Sequence, residues 1–283
     1  MKNCPICQSN NTKIVFNESG IDIIKCKNCS HLFSSFEGEE NYDKYFGYEE
    51  IKDGDYYYWD RARDMMYEDF SERFLKNKKG ILLDYGCGMG FFIKKIKDIK
   101  NWEIKGLEIS RQAVNYANIK LNLNNIFCGN INEYNFNDIK FDIITLWDVI
   151  EHIKNPDKTI NKISKILSND GILFIHTPNA KLQLFKARLK KILFGMKSNI
   201  HYFEPKDHLN IYTSNSISIL LKRNGFKKIK FIHLKPIKSM SGNRSSLAIL
   251  FKYAWYYASV FLFYLTFGII NIDNLFVVAI KDN

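Results

Sequence analysis

The sequence predicts an α/β fold, a mainly parallel sheet with helices on both faces, preceded by a small cysteine-built ribbon. Three observations predict it. From Gly80 onward, short apolar runs alternate with helical patterns at the spacing of strand–helix–strand units. The run Leu82-Leu83-Asp84-Tyr85 enters a turn with glycines at 86, 88 and 90. Residues 1–36 carry two Cys-x-x-Cys pairs, Cys4/Cys7 and Cys26/Cys29, with 18 residues between them.

The ribbon comes first. Four thiolates in two such pairs suit a tetrahedral metal, and a closed four-sulfur shell is structural zinc chemistry. Cys4, Cys7, Cys26 and Cys29 are therefore the expected ligands, and His31 is left outside a shell that is already full. A Tyr-rich connector follows over 37–79. It turns helical near Asp60, where Met65, Met66, Asp69, Phe70 and Phe74 recur at helical spacing. Tyr45, Tyr57 and Tyr58 either cover a cleft mouth or pack between modules.

The sheet domain occupies 80–283. Ile81–Tyr85 reads as its first strand, with a helix from Met89 to about Ile99. Glu103–Glu108 is a strand and Arg111–Leu121 a helix. Asn125–Cys128 is a short strand and Phe141–Leu146 a longer one. The helix Asn155–Leu167 has Pro156 in its first turn. Gly171–His176 is the fifth strand. Ser214–Asn224 is a helix, capped by Thr213 or Ser214 and stopped by Gly225. Lys228–Leu234 and Leu275–Ile280 close the sheet.

The glycine turn carries the sharpest chemical signal. Glycine allows positive φ and lets a ligand approach the backbone, and ligands of open α/β sheets bind beyond the carboxyl ends of the strands. A dinucleotide fingerprint needs glycine at position 91, where this chain has Phe91. The spacing is Asp-x-Gly-x-Gly-x-Gly instead.

That segment resembles the class I S-adenosylmethionine-dependent methyltransferases. The resemblance covers about Gly80 to Phe226 and resumes at the last strand. It implies a Rossmann-like methyltransferase sheet, with Asp84, Gly86, Gly88 and Gly90 around the methionine end of the cofactor. It places Glu108, about twenty residues on, against the ribose hydroxyls. Asn130 stands where the family usually has Asp beside the adenine amino group, and Ile131 is expected on the adenine face. Trp147 and Asp148 fall at the end of the fourth strand, next to the cofactor. His176, Thr177 and Asn179 are expected on the substrate side.

Two histidines are candidate bases. His152 ends the segment after strand four. His208 lies in Asp207-His208-Leu209, which resembles an acid-His-Leu motif of methyltransferases acting on sugars and other small molecules. An Asp207–His208 pair is a plausible base for a hydroxyl or an activated carbon. Zinc-ribbon sugar methyltransferases combine the two modules in this order, so the implied acceptor is a small molecule, with a sugar of a nucleotide- or lipid-linked glycan precursor favoured.

Charge and composition bound the rest. Hydrophobic residues make up 46% of the 283, enough for a large core. The net charge of +11 favours phosphate-bearing partners: nucleotide-activated substrates, an anionic membrane or nucleic acid. A non-catalytic nucleic-acid-binding module and an RNA methyltransferase stay open as alternatives. Leu146-Trp147-Asp148-Val149 is unlike the Asn-Pro-Pro-Tyr tetrapeptide of base amino methylation, which makes nucleic acid the weaker partner. Residues 1–9 lack the apolar run of a signal peptide, and the cysteine usage fits a reducing cytoplasm.

Two insertions point to a surface. Residues 181–200 interleave Lys181, Lys186, Arg188, Lys190, Lys191 and Lys197 with apolar residues and contain no acid. They read as a basic amphipathic helix, suited to an anionic membrane or to a lid. Within 245–272, Tyr253–Ile272 is uncharged over 20 residues, long enough to cross a bilayer. A single crossing would strand Leu275–Ile280 on the wrong side. The segment is therefore expected to return, as an interfacial hairpin with Leu247–Phe251 or as a dimer face. The expected location is the cytoplasm, peripheral or monotopic at the inner face of the membrane.

Overall fold

A computed structural model of the chain describes residues 2–38, 61–197, 201–237 and 246–281. The Tyr-rich connector 42–59, with Tyr45, Tyr57 and Tyr58, lies outside the described residues.

Two sheets form. The ribbon contributes β1 (Thr12–Glu18), β2 (Ile21–Cys26) and β3 (Leu32–Ser34). After it come α1 (Asp64–Phe74), β4 (Gly80–Tyr85), α2 (Phe91–Ile96), β5 (Trp102–Glu108), α3 (Arg111–Lys120) and β6 (Ile126–Cys128). Next are β7 (Phe141–Trp147), α4 (Pro156–Ile166), β8 (Leu167–Thr177), α5 (Ala180–Phe194) and β9 (Asn210–Ile211). The chain continues with α6 (Ser214–Arg223), β10 (Phe226–Ile232), α7 (Ser246–Leu265) and β11 (Leu275–Lys281).

The large sheet runs β10-β11-β8-β7-β4-β5-β6. Strands β4 to β8 pair in parallel, while β11 pairs antiparallel with both β8 and β10. Alternate residues along each strand go to opposite faces. Leu83, Ile144, Leu173 and Val277 meet α4 and α6 through Ile160, Ile163, Ile217 and Leu220. Their neighbours Leu82, Ile143, Phe174 and Val278 meet α1, α2 and α3 through Phe70, Phe92, Ile96 and Val114. Helices thus cover both faces, as the alternation predicts.

The small sheet runs β1-β2-β3-β9, and its last strand comes from the sheet domain. Leu32 pairs with Ile211 and Phe33 with Asn210. The ribbon is therefore built into the fold. Buried His31 sits between Asn210 Oδ1 at 3.1 Å and Ser216 Oγ at 3.3 Å, so its ring is engaged in packing. Glu18, 7% exposed, accepts the backbone N–H groups of Tyr202 at 3.1 Å and Phe203 at 2.6 Å. Ser34 donates to Pro205 O at 2.6 Å.

Some boundaries depart from the sequence reading. The helix after the glycine turn has only six residues. Strand β8 starts directly at Leu167, with a bulge where Phe141 pairs with Leu167 but Ile143 with Ile172. The apolar run is one helix, α7, that takes in both Leu247–Phe251 and Tyr253–Leu265. The expected hairpin is thereby replaced, because Lys252 and Tyr253 continue the helical backbone. Among the described residues no helix is long and apolar enough to cross a membrane.

Replacing Glu18 by Gln puts an amide where two buried N–H groups need a charged acceptor. The expected cost is about 1.5–3 kcal/mol of stability, read as a lower urea midpoint with an unchanged slope.

Candidate active site

The cleft opens at the carboxyl ends of β4, β5, β7 and β8 and encloses about 950 Å³. Its floor is the glycine turn. Gly86, Gly88 and Gly90 have φ of +69°, +52° and +80°. A Cβ on Gly86 would stand 2.6 Å from Val149 Cγ2, so that position tolerates no side chain.

Glu108 faces the turn. Its Oε2 accepts Gly88 N–H at 2.8 Å and its Oε1 accepts Ser110 N–H at 2.9 Å. A carboxylate offers about four acceptor sites, so bonding to the turn and accepting a ligand hydroxyl are compatible chemistries for Glu108. Asp84 is 2% exposed and accepts Thr145 Oγ1 at 2.7 Å. Burial, with the Glu108 charge adding to it, pushes its carboxyl up to about 8.

The end of the cleft beyond β6 holds Asn130 and Asn132. Asn130 Oδ1 accepts the backbone N–H of Asn132 at 2.9 Å and its Nδ2 at 3.2 Å. The expected adenine acceptor is thus already bonded. Asn132 Oδ1, by contrast, is buried without a partner among the described residues. Ile131 is fully buried among Leu107, Phe136 and Phe141. It packs into the core and does not line the cleft, whereas exposed Ile109 does.

At the end of β7, Trp147 packs among Phe92, Phe174 and Tyr67 at 4.7–5.1 Å between ring centroids. It touches the cleft with an edge, and its Nε1 is buried without a partner among the described residues. Asp148 adopts φ of +53°. It pairs with Arg63 and lies 2.8 Å from His176 Nδ1. Despite its burial, the neighbouring His176 ring and Arg63 guanidinium hold the Asp148 carboxyl well below the usual carboxylate range. Arg63 is 2% exposed and lines the cleft. No sequence motif marks it, since it lies only at the start of α1.

His176 is 1% exposed and rests on Phe276, with ring centroids 4.7 Å apart. It supports Asp148 from beneath, so the expectation that it faces the substrate side does not hold. Asn179 caps α5 and donates to Asn271 O and Asp273 O. Thr177 donates to Glu151 Oε2 at 2.9 Å. These roles are internal because β11, at the neighbouring position, closes over the end of β8.

The two candidate histidines do come together. Their ring centroids are 5.0 Å apart on the cleft wall. His152 Nδ1 donates to Asp207 O at 2.8 Å, and His208 Nδ1 to Phe203 O at 3.0 Å. The Asp207 side chain is exposed, and its part in the site is played by its backbone carbonyl. An Asp207–His208 carboxylate pair is therefore not formed, because the turn in which Asp207 N–H and His208 N–H both bond to Glu204 O leaves the Asp207 side chain in solvent. Burial, and then the neighbouring His208, brings His152 down to about 4. Glu151, unassigned by motif, is 2% exposed with its carboxyl raised well above the usual range by burial and by the Asp148 charge.

Away from the cleft, Cys4, Cys7, Cys26 and Cys29 gather with all four sulfurs within 4.8 Å of one another. Cys4–Cys29 and Cys7–Cys26 sulfurs are 3.5 Å apart. A tetrahedral shell with zinc–sulfur bonds of 2.3 Å has sulfur edges of about 3.8 Å, so the tetrad fits a closed metal centre.

Residues 58–230 match the model of a methyltransferase domain family. The mitochondrial ubiquinone biosynthesis O-methyltransferase of Dictyostelium discoideum is 26% identical over 159 residues, covering 49% of this chain and 50% of that protein. The (S)-tetrahydroprotoberberine N-methyltransferase of Eschscholzia californica is 30% identical over 122 residues, covering 41% and 35%. An uncharacterized protein of Methanocaldococcus jannaschii is 31% identical over 171 residues, covering 56% and 69%. The chain spans about half the length of the Dictyostelium protein, and less of the Eschscholzia one. Among solved structures, a Thermotoga maritima protein described as a SAM-dependent methyltransferase, possible histamine N-methyltransferase, aligns at a TM-score of 0.51. It is 14% identical, over 81% of this chain and 93% of that one. The plantazolicin methyltransferase BpumL, in complex with SAH, also aligns at 0.51 with 19% identity, over 81% and 86%. Both likenesses are of fold.

Asp84 gives a pH test. Its folded-state carboxyl ionises near 8, against 3.8 for an ordinary one. Between those values the unfolded chain has released the proton and the folded chain keeps it, so stability falls as pH rises. Asp84→Asn lacks this loss. Its advantage in urea midpoint over the natural chain is expected to grow from pH 4 to pH 8 and then level off.

Proposed function

The chain belongs to the methyltransferase domain family, and on that premise we propose that it transfers a methyl group from S-adenosylmethionine to a small-molecule acceptor. The observation that carries this is the glycine turn with Glu108 bonded across it. The turn would seat the methionine end beside Asp84. Glu108 would take the ribose hydroxyls, and Asn132 Oδ1 the adenine amino group. The orphaned buried oxygen of Asn132 fits such a ligand. The cofactor supplies an electrophilic methyl on a sulfonium.

The acceptor would then lie between Trp147 and the wall formed by Glu151, His152 and His208. In each imidazole a proton on Nδ1 leaves Nε2 as the basic nitrogen. His208 and His152 are thus placed to relieve an acceptor hydroxyl of its proton, and transfer itself asks mainly for alignment in a dry site. A sugar hydroxyl of a nucleotide- or lipid-linked precursor is our favoured acceptor. The charge of +11 supports a phosphate-bearing substrate. The cysteine tetrad would hold structural zinc, keeping the ribbon in place beneath β9.

Glu108→Gln keeps the shape and removes the charge. Calorimetric affinity for S-adenosylmethionine is expected to fall about 10- to 100-fold, the range for a charged hydrogen bond. Affinity within twofold of the natural chain would sink the ribose assignment.

A second reading concerns the surface. Helix α5 exposes Phe185, Ile192 and Leu193, and α7 exposes Phe251, Trp255 and Phe261. Apolar side chains in such number on helices next to basic residues support peripheral attachment to an anionic membrane at the cytoplasmic face. The chain is expected to float with phosphatidylglycerol vesicles in a density gradient and to be released by high salt. Recovery in the soluble fraction as a concentration-dependent dimer would assign those helices to self-association instead.

A further inference from the structure

Three donor groups meet on the cleft wall opposite the glycine turn. One ligand atom each from Glu151, His152 and His208 lies within 4.8 Å of the other two. Glu151 and His152 follow β7, and His208 comes from the segment tied to the ribbon. Both imidazoles give their Nδ1 proton to a backbone carbonyl, of Asp207 and of Phe203. A carbonyl only accepts, so Nε2 is the ligating nitrogen in each ring. Hydrogen bonding of the far nitrogen is what orients histidine ligands of metals. The carboxylate is anchored in the same manner. Glu151 Oε2 accepts Thr177 Oγ1, while Oε1 is buried with no partner among the described residues. A buried carboxylate oxygen is costly unless a proton or a cation meets it.

We propose that Glu151, His152 and His208 bind a divalent transition-metal ion at the acceptor end of the cleft. Two imidazoles and one carboxylate suit zinc and its neighbours, and three protein ligands leave positions open, as in catalytic sites. Donor atoms within 4.8 Å of one another lie in the range from which side chains can close to the roughly 3.3 Å edge of such a shell. The cysteine tetrad differs in kind: it is all sulfur and closed.

The assignment rests on the methyl-transfer reading, because it gives the open positions an occupant. That occupant is an acceptor hydroxyl, best with a second oxygen on the neighbouring carbon to complete a chelate. A cation at that point lowers the pKa of the hydroxyl it holds. The O–H bond breaks and the proton leaves to water in the cleft. The oxygen then forms a bond to the sulfonium methyl, and the carbon–sulfur pair returns to sulfur as a neutral thioether. The imidazoles ligate in this scheme and need not take the proton themselves.

The test uses the full chain with its cysteine tetrad saturated with zinc. Free Mn²⁺ is followed by electron paramagnetic resonance during titration, and zinc equivalents by elemental analysis. The natural chain is expected to take up one Mn²⁺, or a second equivalent of zinc. His208→Ala and Glu151→Gln should each weaken that uptake by at least about tenfold. Circular dichroism and S-adenosylmethionine affinity should be retained in the His208 variant. A natural chain that binds no ion beyond the tetrad's overturns the site, as does uptake that survives both substitutions. Ion uptake lost in the variants, in a chain that binds no S-adenosylmethionine at all, would uphold the site and remove the methyl-transfer reading.

Discussion

Two backbone pairings, Leu32 with Ile211 and Phe33 with Asn210, tie the opening of the chain to a segment more than 170 residues away. Much of the cleft wall that carries His152 and His208 depends on them. Between Tyr202 and Ile211 the chain has only two strand residues of its own, and the ribbon supplies what fixes it. Glu18 holds the N–H groups of Tyr202 and Phe203, Ser34 holds Pro205 O, and β3 holds β9. Phe203 O in turn fixes the ring of His208. Asn210 N–H reaches Glu151 O, and Asn210 Nδ2 reaches Ile153 O at 2.8 Å, so the same segment steadies the loop that carries His152. A cysteine tetrad far from the chemistry thus bears on where an imidazole points.

The opposite wall follows another logic. Arg63, Asp148 and His176 form a row of polar contacts at the cleft lining, with the guanidinium and the imidazole both on the Asp148 carboxylate. Removing one member of such a row leaves a charge in low dielectric, at a cost of about 3–5 kcal/mol. The row engages Asp148 in its left-handed backbone conformation, which Asp adopts more readily than most L-residues. Residues 149–152 leave the end of β7 in a direction set by that turn. Charge pairing from α1 and β8 therefore orients a loop that sequence assigns to β7 alone.

Local signals made the sheet legible. Alternation placed the strands, glycines at 86, 88 and 90 located the turn, and Glu108 followed at the right distance. The cysteine spacing located the tetrad. Tertiary choices were not legible. The sequence points to Asn130 alone, and only the Asx-type turn shows that its oxygen is engaged by Asn132 while the Asn132 oxygen is left over. Ile131 points into the core because the chain turns at Gly129, which no apolar pattern encodes. Arg63 carries no motif, and Glu151 looks like a helix-entry acid until Thr177 is seen beside it. Asp207 and His208 are adjacent in sequence, yet their side chains diverge. β9 is two residues long and could not have been read from periodicity.

The pairing of β3 with β9 also bears on how the chain is born. The three ribbon strands find their partners among one another within the first three dozen residues, but β3 is left as an open edge until β9 has been made. At ordinary rates of synthesis the intervening stretch of about 175 residues takes roughly ten to thirty-five seconds. Throughout that interval unpaired N–H and C=O groups are offered to any extended chain nearby. A nascent chain stalled before residue 210 has no β9 to cover the edge of β3. Its own neighbours on the same messenger are the strands most available to fill it.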